Sequence, residues 1–329
     1  MNGGKTIFVT GASGHLGRRL IPKLISRGYR VKGQCRNLKK AEKYLPPDVA
    51  MVVGDIRDKS WMLQALAGCD YLIHSAAMVS LRPVDYQEMK SINIDGTKNL
   101  VEAARQAFVK RFLHISSVAT IGGSTDGRPL DENARFNLAG YGLPYFETKK
   151  EAEEIILAAS ASGMETIVLN PSIILYPPER KITRTDFKKI PRIIPFYFEF
   201  GVNLVHADDV IEGIISALER GRNRERYILA GDNIDASHLF AIAREFFKIR
   251  RPWLKIPVSL LYPVGYVGEL LYRLRHIGAP RGKGPRVNRG IARLAKLRFF
   301  YDISKARKEL GYNPRTIEEF LQELTADMV

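Results

Sequence analysis

Three glycines near the start of the chain constrain its fold most strongly. Thr6–Thr10 is a short, apolar, β-branched run of the kind that forms a buried parallel strand. Gly11, Gly14 and Gly17 follow at once, and Arg18–Arg27 then has helical periodicity. A strand, a tight glycine turn and a helix in this order are typical of a dinucleotide-binding unit. In such a unit the glycine backbone approaches a pyrophosphate, and the helix N-terminus stabilises its charge.

Composition limits the class of protein. The chain has 329 residues, of which 45% are hydrophobic, which is enough for one large domain and a smaller lobe. Cys35 and Cys69 provide no disulfide framework and favour a reducing compartment. No signal peptide precedes the first strand, so we expect a cytoplasmic protein. The net charge of +16 attracts anions, but a generally basic surface explains it as well as a specific partner does.

Short apolar strands alternate with amphipathic helices along the first half of the chain. This alternation predicts an α/β fold of the Rossmann type, with a doubly wound parallel sheet. The predicted strands are Thr6–Thr10, Tyr29–Cys35, Val49–Val53, Tyr71–His74, Arg111–Ile115 and Glu165–Leu169. The predicted helices between them are Ile21–Arg27, Lys59–Leu66, Tyr86–Phe108 and Tyr145–Ser160.

The alternation breaks after Pro171. Residues 176–195 are rich in proline and charge and are predicted to be an insertion. Asp208–Arg220 and Ala236–Phe247 have helical patterns, and Tyr227–Ala230 is a predicted strand that returns to the sheet. We therefore assign residues 1–175 and 207–230 to the dinucleotide-binding domain, and residues 176–206 and 231–329 to a smaller, discontinuous substrate-binding lobe.

Pro257–Ile277 is the most apolar stretch of the chain. A membrane span needs about 20 unbroken apolar residues, and Pro263, Gly265 and Glu269 interrupt this one. Basic residues then accumulate, with no acidic residue between positions 270 and 301. Two interpretations stay open: Pro257–Arg298 makes peripheral contact with an anionic membrane, or, as the pattern favours, it is a packed helix followed by a solvated basic loop. Nucleic acid is not an expected partner, because aromatic residues do not interleave this tract.

Tyr145 and Lys149 stand four residues apart at the start of a predicted helix, so their side chains project from one face. The ammonium is expected to lower the pKa of the tyrosine hydroxyl towards the working range of an acid or base. Ser117 follows a predicted strand, where side chains face the ligand crevice of a parallel sheet. Its hydroxyl can orient a substrate oxygen while Tyr145 exchanges the proton. The alternative is a surface Tyr–Lys pair beside a turn serine, which is how we interpret Ser116.

Motifs spread over nearly the whole chain occur together in one known family. The chain resembles the extended short-chain dehydrogenases/reductases, which form the NAD-dependent epimerase/dehydratase family. It is most similar to the dihydroflavonol reductase-like, 3β-hydroxysteroid dehydrogenase-like and hopanoid-associated sugar epimerase-like members. The motifs are TGASGHLG at 10–17, GDI at 54–56, HSAA at 74–77, NIDGTKNL at 93–100, SSVAT at 116–120, YFETK at 145–149, LNPS at 169–172 and VHADDV at 205–210.

The resemblance implies a role for each matching residue. Ser117, Tyr145 and Lys149 would be catalytic, with Asn93 as a helper in the proton relay. The implied cofactor-binding residues are Gly11, Ser13, Gly14, His15, Leu16 and Gly17 at the pyrophosphate, Asp55 and Ile56 at the adenine, Ala76 and Ala77 at the ribose and nicotinamide, Pro171, Ser172 and Ile173 at the nicotinamide, and Tyr145 and Lys149 beside it. Relatives also dimerise through two long helices, here Tyr86–Phe108 and Tyr145–Ser160, which implies a homodimer. No metal site is expected, because the histidines lack metal-ligand spacing.

The end of the second predicted strand bears on the choice of cofactor. NAD-binding units place an acidic residue there to hold the ribose hydroxyls. This chain instead has Gln34, Cys35 and Arg36, with Lys39 and Lys40 close behind. Arg36 is placed to meet a 2′-phosphate, so the sequence predicts NADP in preference to NAD.

Residues that differ from other members of the family narrow the reaction. Dehydratases carry acids directly after the catalytic hydroxyl, where this chain has Val118 and Ala119. Nucleotide-sugar epimerases carry an arginine near the position of Val202 and Asn203. We therefore predict an NADP-dependent oxidoreductase that interconverts a secondary alcohol and a ketone on a small, apolar substrate. A nucleotide-sugar epimerase or reductase stays open as one alternative, and a non-catalytic NAD(P)-binding sensor or assembly factor as another.

Overall fold

Twelve strands are found in the part of the chain that the computed structural model describes, which comprises residues 4–160, 163–177, 196–247, 252–263, 265–268 and 289–326. Seven of them form one sheet, three form a second sheet and two form a short pair. They are β1 (Thr6–Thr10), β2 (Arg30–Cys35), β3 (Ala50–Val53), β4 (Tyr71–His74), β5 (Arg111–Ile115), β6 (Glu165–Pro171), β7 (Ile173–Leu175), β8 (Phe196–Tyr197), β9 (Gly201–His206), β10 (Glu225–Leu229), β11 (Asp232–Asp235) and β12 (Leu254–Lys255).

The seven-stranded sheet is parallel throughout and has the order β10-β6-β5-β4-β1-β2-β3. Strand order reverses between β1 and β4, and open α/β sheets bind their ligands at such a switch point. The glycine turn follows β1, so the order of the strands places it at this point. The predicted Rossmann-type sheet is confirmed, including its last strand near residue 227.

Helices cover both faces of this sheet, as a doubly wound fold requires. Side chains alternate along β1: Ile7 and Val9 pack under the helix at 17–26, whereas Phe8 packs under the helices at 59–66 and 96–106. The helices are α1 (Gly17–Ser26), α2 (Leu38–Glu42), α3 (Lys59–Leu66), α4 (Tyr86–Met89), α5 (Gly96–Gln106), α6 (Pro144–Ala159), α7 (Ala207–Arg220), α8 (Ala236–Phe247), α9 (Arg289–Leu294), α10 (Ser304–Leu310) and α11 (Ile317–Ala326).

The long helix predicted for Tyr86–Phe108 is interrupted. A π-helical turn, Lys90–Asp95, separates α4 from α5. Such turns occur where a side chain takes part in packing that a regular helix does not allow. Here the buried Asn93 makes hydrogen bonds outside the helix, and the Thr97 hydroxyl donates to the Asn93 carbonyl at 2.6 Å. Sequence periodicity does not reveal this interruption, because the apolar spacing continues through it.

The second sheet has the order β11-β9-β7, in which β9 is antiparallel to β11 and parallel to β7. The predicted insertion lies outside the described residues from position 178 to 195, and so do residues 264 and 269–288 of the apolar and basic tract. Within the described ranges, no helix is long and apolar enough to cross a bilayer. The domain boundaries given above stay a prediction.

Candidate active site

A cavity of about 660 Å³ lies at the carboxyl ends of the central strands. It runs from the glycine turn, past the end of β2, to the ends of β5 and β6. The sequence-predicted residues that line it are Gly11, Ser13, Gly14, His15, Leu16, Arg36, Asp55, Ile56, Ala76, Ala77, Ser117, Tyr145, Lys149, Pro171 and Ser172. The structure therefore brings most of the predicted site residues to one surface.

The glycine turn forms a close-packed cradle at one end of the cavity. Gly11 has a φ of +70°, and a Cβ there would lie 2.9 Å from the Ala76 backbone nitrogen. A Cβ on Gly17 would lie 2.4 Å from the Gly11 carbonyl oxygen. Gly17 does not line the cavity; it lets the start of α1 pack against the turn. Because the turn leaves room only for backbone, it fits the phosphate group of a dinucleotide.

Gln34 holds this turn in place, a role that the sequence analysis missed. Its side-chain oxygen accepts a hydrogen bond from the Gly11 amide at 3.1 Å. Its side-chain nitrogen donates to the Gly54 carbonyl at 2.7 Å. The residue is buried in β2, so both groups depend on it for a partner. The sequence signal that could have revealed this role is a polar residue within an otherwise buried strand.

Tyr176 is a second residue that the sequence analysis missed. It follows β7, lines the cavity, and its ring centroid lies 5.4 Å from that of His15. Burial raises the pKa of the Tyr176 hydroxyl, although Arg19 and Arg18 lower it in part. The Arg19 guanidinium also donates to the Pro177 carbonyl at 3.0 Å. The segment after β7 therefore closes one side of the pyrophosphate end.

At the end of the cavity near the end of β2, charged side chains of both signs line the wall. Arg36 and Lys40 are exposed and line it, whereas Lys39 does not. Asp55 also lines it, but its carboxylate accepts from the Arg57 guanidinium at 2.6 and 2.9 Å. These hydrogen bonds lower the pKa of Asp55. The carboxylate is therefore charged and turned towards its own neighbour.

Ser117 and Tyr145 meet at the other end of the cavity. The Ser117 side chain accepts from the Ala119 amide at 3.2 Å, which caps a short 3₁₀ turn after β5. Burial raises the pKa of the Tyr145 hydroxyl, and the neighbouring Ser117 side chain lowers this pKa in part. The expected lowering of this pKa by Lys149 is wrong for this structure. The Lys149 ammonium instead donates to the Ile115 carbonyl at 2.7 Å.

Lys149 is buried, and its loss of solvent lowers its pKa to about 8, although the nearby Glu153 carboxylate raises it in part. Its nitrogen also lies 3.4 Å from His114 Nε2. Burial lowers the pKa of His114, and that of His74 to about 3. Both imidazoles are therefore neutral, and Lys149 carries the charge at this end of the cavity. No cluster of metal-ligating side chains occurs among the described residues.

Besides Gly17, two further predicted site residues do not line the cavity. Ile173 is 52% exposed and does not line the cavity, because Ile174 takes that position. Asn93 lies behind the wall and is 2% exposed. Its amide accepts from the Met78 nitrogen at 2.8 Å and donates to the Met78 carbonyl at 3.0 Å. Asn93 thus anchors a cavity-lining loop, and its role in a proton relay stays a prediction.

The fold and this cavity define a dinucleotide-binding enzyme of the short-chain dehydrogenase/reductase class. Residues 7–230 match the model of the NAD dependent epimerase/dehydratase family, and the chain belongs to that family. A putative dihydroflavonol 4-reductase of Synechocystis sp. is 30% identical over 96% of this chain and 92% of that protein.

Two further similarities extend along the whole chain. A 4-hydroxy-2-methyl-3-oxo-4-farnesyl-3,4-dihydroquinoline-1-oxide ketoreductase of Stigmatella aurantiaca is 30% identical over 95% of this chain and 93% of that protein. The crystal structure of gox2253 has a TM-score of 0.79 and 34% identity, and covers 98% of this chain and 97% of that one. The protein is therefore an NAD(P)-dependent enzyme of this family.

Proposed function

We propose that the protein is an NADP-dependent oxidoreductase that interconverts a secondary alcohol and a ketone on a small, apolar substrate. One observation supports this most directly. Two neighbouring hydroxyls and a buried ammonium share the cavity onto which the glycine turn opens; they belong to Ser117, Tyr145 and Lys149. This combination provides an acid, an orienting group and a fixed positive charge at one place.

The residues suggest how a ketone is reduced. The Ser117 hydroxyl donates a hydrogen bond to the carbonyl oxygen, and the Tyr145 hydroxyl gives that oxygen its proton. Because burial raises the pKa of Tyr145, the hydroxyl is protonated at neutral pH and ready to act as an acid. Lys149 keeps a positive charge in the same cavity, held in place by its hydrogen bond to the Ile115 carbonyl. A bound nicotinamide supplies the hydride in this direction and accepts it in the other.

An apolar substrate is favoured by apolar side chains that line the cavity. These are Met78, Val79 and Ile174. The position where an arginine would serve a sugar nucleotide is taken by Val202, which packs in an apolar cluster of the C-terminal lobe. The name of the Stigmatella relative describes a ketoreductase with a farnesylated substrate, which agrees with this choice.

Removing the Tyr145 hydroxyl tests the proposal. We expect Tyr145→Phe to reduce NADPH-dependent turnover of a competent ketone by about 10²- to 10⁴-fold. Lys150→Met is the matched control, because Lys150 pairs with Glu154 outside the cavity. Unchanged turnover in Tyr145→Phe would refute the assignment.

A thermal-shift screen identifies the substrate class before kinetics are attempted. Steroids, flavonoids and long-chain ketones are compared with UDP- and GDP-sugars, each in the presence of NADP. Stabilisation by the sugar nucleotides alone would favour the epimerase. Cofactor binding without any NADPH oxidation across the ketone panel would favour a non-catalytic sensor.

The preference for NADP is proposed from the end of β2. Arg36 and Lys40 line the cavity there and offer cations to a 2′-phosphate. We expect Arg36→Ala to reduce kcat/KM for NADPH by about 10- to 100-fold and to change that for NADH little. Lys39→Ala is the control, because Lys39 is a neighbouring exposed cation outside the cavity. Equal losses with both cofactors would contradict the proposal.

A homodimer through the two long helices is also proposed. Lys98 on α5 and Glu151 on α6 form an ion pair at 3.6 Å, so these helices lie side by side and offer a joint surface. Light scattering should give twice the mass of one chain. A monomer at micromolar concentration would contradict this.

Peripheral contact with an anionic membrane is proposed for the Pro257–Arg298 tract, argued from its described residues. Tyr266 is 51% exposed, and Arg289 lies over its ring at 4.4 Å; Trp253, just before the tract, is 73% exposed. Exposed aromatic rings beside cations suit a lipid headgroup layer. Vesicles that contain phosphatidylglycerol should sediment the protein, and neutral vesicles should not. Equal recovery with both would refute the proposal.

A further inference from the structure

A carboxylate in the interior of the protein lies directly behind the proposed active site. Glu153 is fully buried and stands one turn beyond Lys149 and two turns beyond Tyr145 on the same face of α6. Nothing in the sequence analysis gave it a role. A buried carboxylate needs a specific set of partners, and these show what it holds together.

Glu153 is bound by side chains from three other parts of the fold. Its Oε2 accepts from the Ser116 hydroxyl at 2.7 Å and from the Asn170 amide at 2.8 Å. Its Oε1 lies 2.8 Å from Nε of Arg226, whose side chain is 16% exposed. The Asn170 amide NH₂ can only donate, so the Glu153 oxygen is its acceptor, whereas Arg226 contributes an ion pair without a hydrogen bond. Glu153 thus links α6 to the turn after β5, to β6 and to β10.

These contacts converge on the backbone of Ser117. Asn170, which donates to Glu153, also donates to the Ser117 carbonyl at 3.1 Å. Ser116 is the preceding residue, and Thr120, at the end of the same turn, lies 2.7 Å from Glu153 Oε2. The turn that carries the Ser117 hydroxyl is therefore fastened to the helix that carries Tyr145.

We propose that Glu153, paired with Arg226, is a positioning residue that sets the distance between the Ser117 and Tyr145 hydroxyls and supports the charge of Lys149. It does not line the cavity and does not touch the substrate. This inference rests on the proposed Ser-Tyr-Lys chemistry and extends it to a pair outside the cavity. A small displacement of reacting groups can reduce the rate by about 100-fold, so the effect is measurable.

Two double variants separate the positioning of the Ser117 turn from the support of the Lys149 charge. Both variants remove the charges of Glu153 and Arg226. Glu153→Leu with Arg226→Met removes the acceptor that holds the turn. Glu153→Gln with Arg226→Met keeps an oxygen that accepts from Ser116 and Asn170 but removes the negative charge. Removing both partners avoids leaving one buried charge unpaired. Glu154→Gln is the matched control, because Glu154 is the neighbouring, 62% exposed carboxylate.

The measurements are circular dichroism, NADP affinity, and the pH dependence of kcat with the best ketone. We expect the leucine variant to fold and bind NADP but to lose about 10- to 100-fold in kcat. The glutamine variant should recover most of this kcat at neutral pH. Its decline in kcat at alkaline pH should begin at a lower pH than in the wild type, because the Glu153 charge no longer raises the pKa of Lys149. The titratable groups that face Lys149 are His114 on β5, His74 on β4 and Glu153 on α6, and of these only Glu153 is changed. The Arg226→Met change is common to both double variants, and Arg226→Met alone is measured beside them.

The outcomes distinguish this inference from the proposed function. If the folded leucine variant has wild-type kcat while Tyr145→Phe is inactive, the positioning role is refuted and the chemistry stands. If Tyr145→Phe is fully active, the proposed chemistry is refuted first. If the glutamine variant has the same pH profile as the wild type, the electrostatic part is refuted. If the leucine variant does not fold, the glutamine variant and its pH profile still decide the electrostatic part.

Discussion

The buried ammonium of Lys149 should reduce the stability of the protein in a pH-dependent way. Its pKa is lowered from 10.5 to about 8 because burial removes its solvent. This difference corresponds to about 3 kcal/mol of stability lost while the group is protonated in both states. Below about pH 8 the full loss is present. Between about pH 8 and about pH 10.5 the unfolded chain binds more protons than the folded one, so stability rises with pH.

Lys149→Met isolates this contribution, because methionine fills similar space without a charge. All other titrating groups are shared, so they cancel in the difference between wild type and variant. From about pH 7 to about pH 9.5, the wild type should gain about 2 kcal/mol of unfolding free energy relative to the variant. The absolute difference at neutral pH is smaller than the titration alone gives, since methionine leaves the Ile115 carbonyl without its donor.

Urea unfolding followed by circular dichroism at four or so pH values across this interval gives the required free energies. Lys150→Met serves as the control and should run parallel to the wild type, because Lys150 is a partly exposed neighbour. Parallel curves for wild type and Lys149→Met would refute the reasoning. They would mean that Lys149 has an ordinary pKa and hence that water reaches it.

Three further predictions concern the backbone and the glycine turn. Gly11→Ala should abolish cofactor binding, because its Cβ would clash with Ala76. Gly28 also has a positive φ, of +85°, but open space around it, so Gly28→Ala should cost only about 1 kcal/mol in urea unfolding and leave cofactor binding intact. Equal cofactor binding by the two variants would contradict the clash with Ala76. Gln34→Leu should cost about 2 to 5 kcal/mol and weaken NADP binding in titration calorimetry, because it leaves the Gly11 amide and the Gly54 carbonyl without partners; unchanged affinity would show that the turn does not need this support. Phe108→Gly should raise the free energy of unfolding by about 1 kcal/mol, since the 87% exposed Phe108 has a φ of +56°, and a loss of stability would show that its ring contributes to packing.

Local patterns were sufficient to predict the individual strands of the seven-stranded sheet. Each central strand is a short apolar run between turn residues, and β1 with its glycines also fixes where the cofactor cleft opens. The π-helical turn was not predictable, because it depends on the bonds that Asn93 and Thr97 make after folding. The reversal of strand order that brings the cleft together was inferred from the fold type, since no local pattern encodes which strands become neighbours.

In the candidate site too, local spacing predicted some features, whereas others depend on contacts between distant parts of the chain. Residues on one helix face could be paired from their spacing, so Tyr145 and Lys149 were predicted together. The direction of the Lys149 side chain could not be predicted, because its acceptor, the Ile115 carbonyl, belongs to β5 and not to the same helix. Ile173 was placed in the site by a motif, but the alternation of side chains in β7 turns it outward.

Helix α6 presents a hydroxyl, an ammonium and a carboxylate at successive turns; the first is partly buried, and the other two are buried too deeply to be stable without partners. Each is stabilised from a different direction: Tyr145 by Ser117, Lys149 by the end of β5, and Glu153 by Arg226 on β10. The strands β5, β6 and β10 are consecutive neighbours in the sheet, and this order is what brings the partners to one helix. The reactivity proposed for Tyr145 is therefore a property of the sheet order as much as of the Tyr-Lys spacing. Moving a partner strand, even with the motif intact, would leave buried charges without partners and would disable the site.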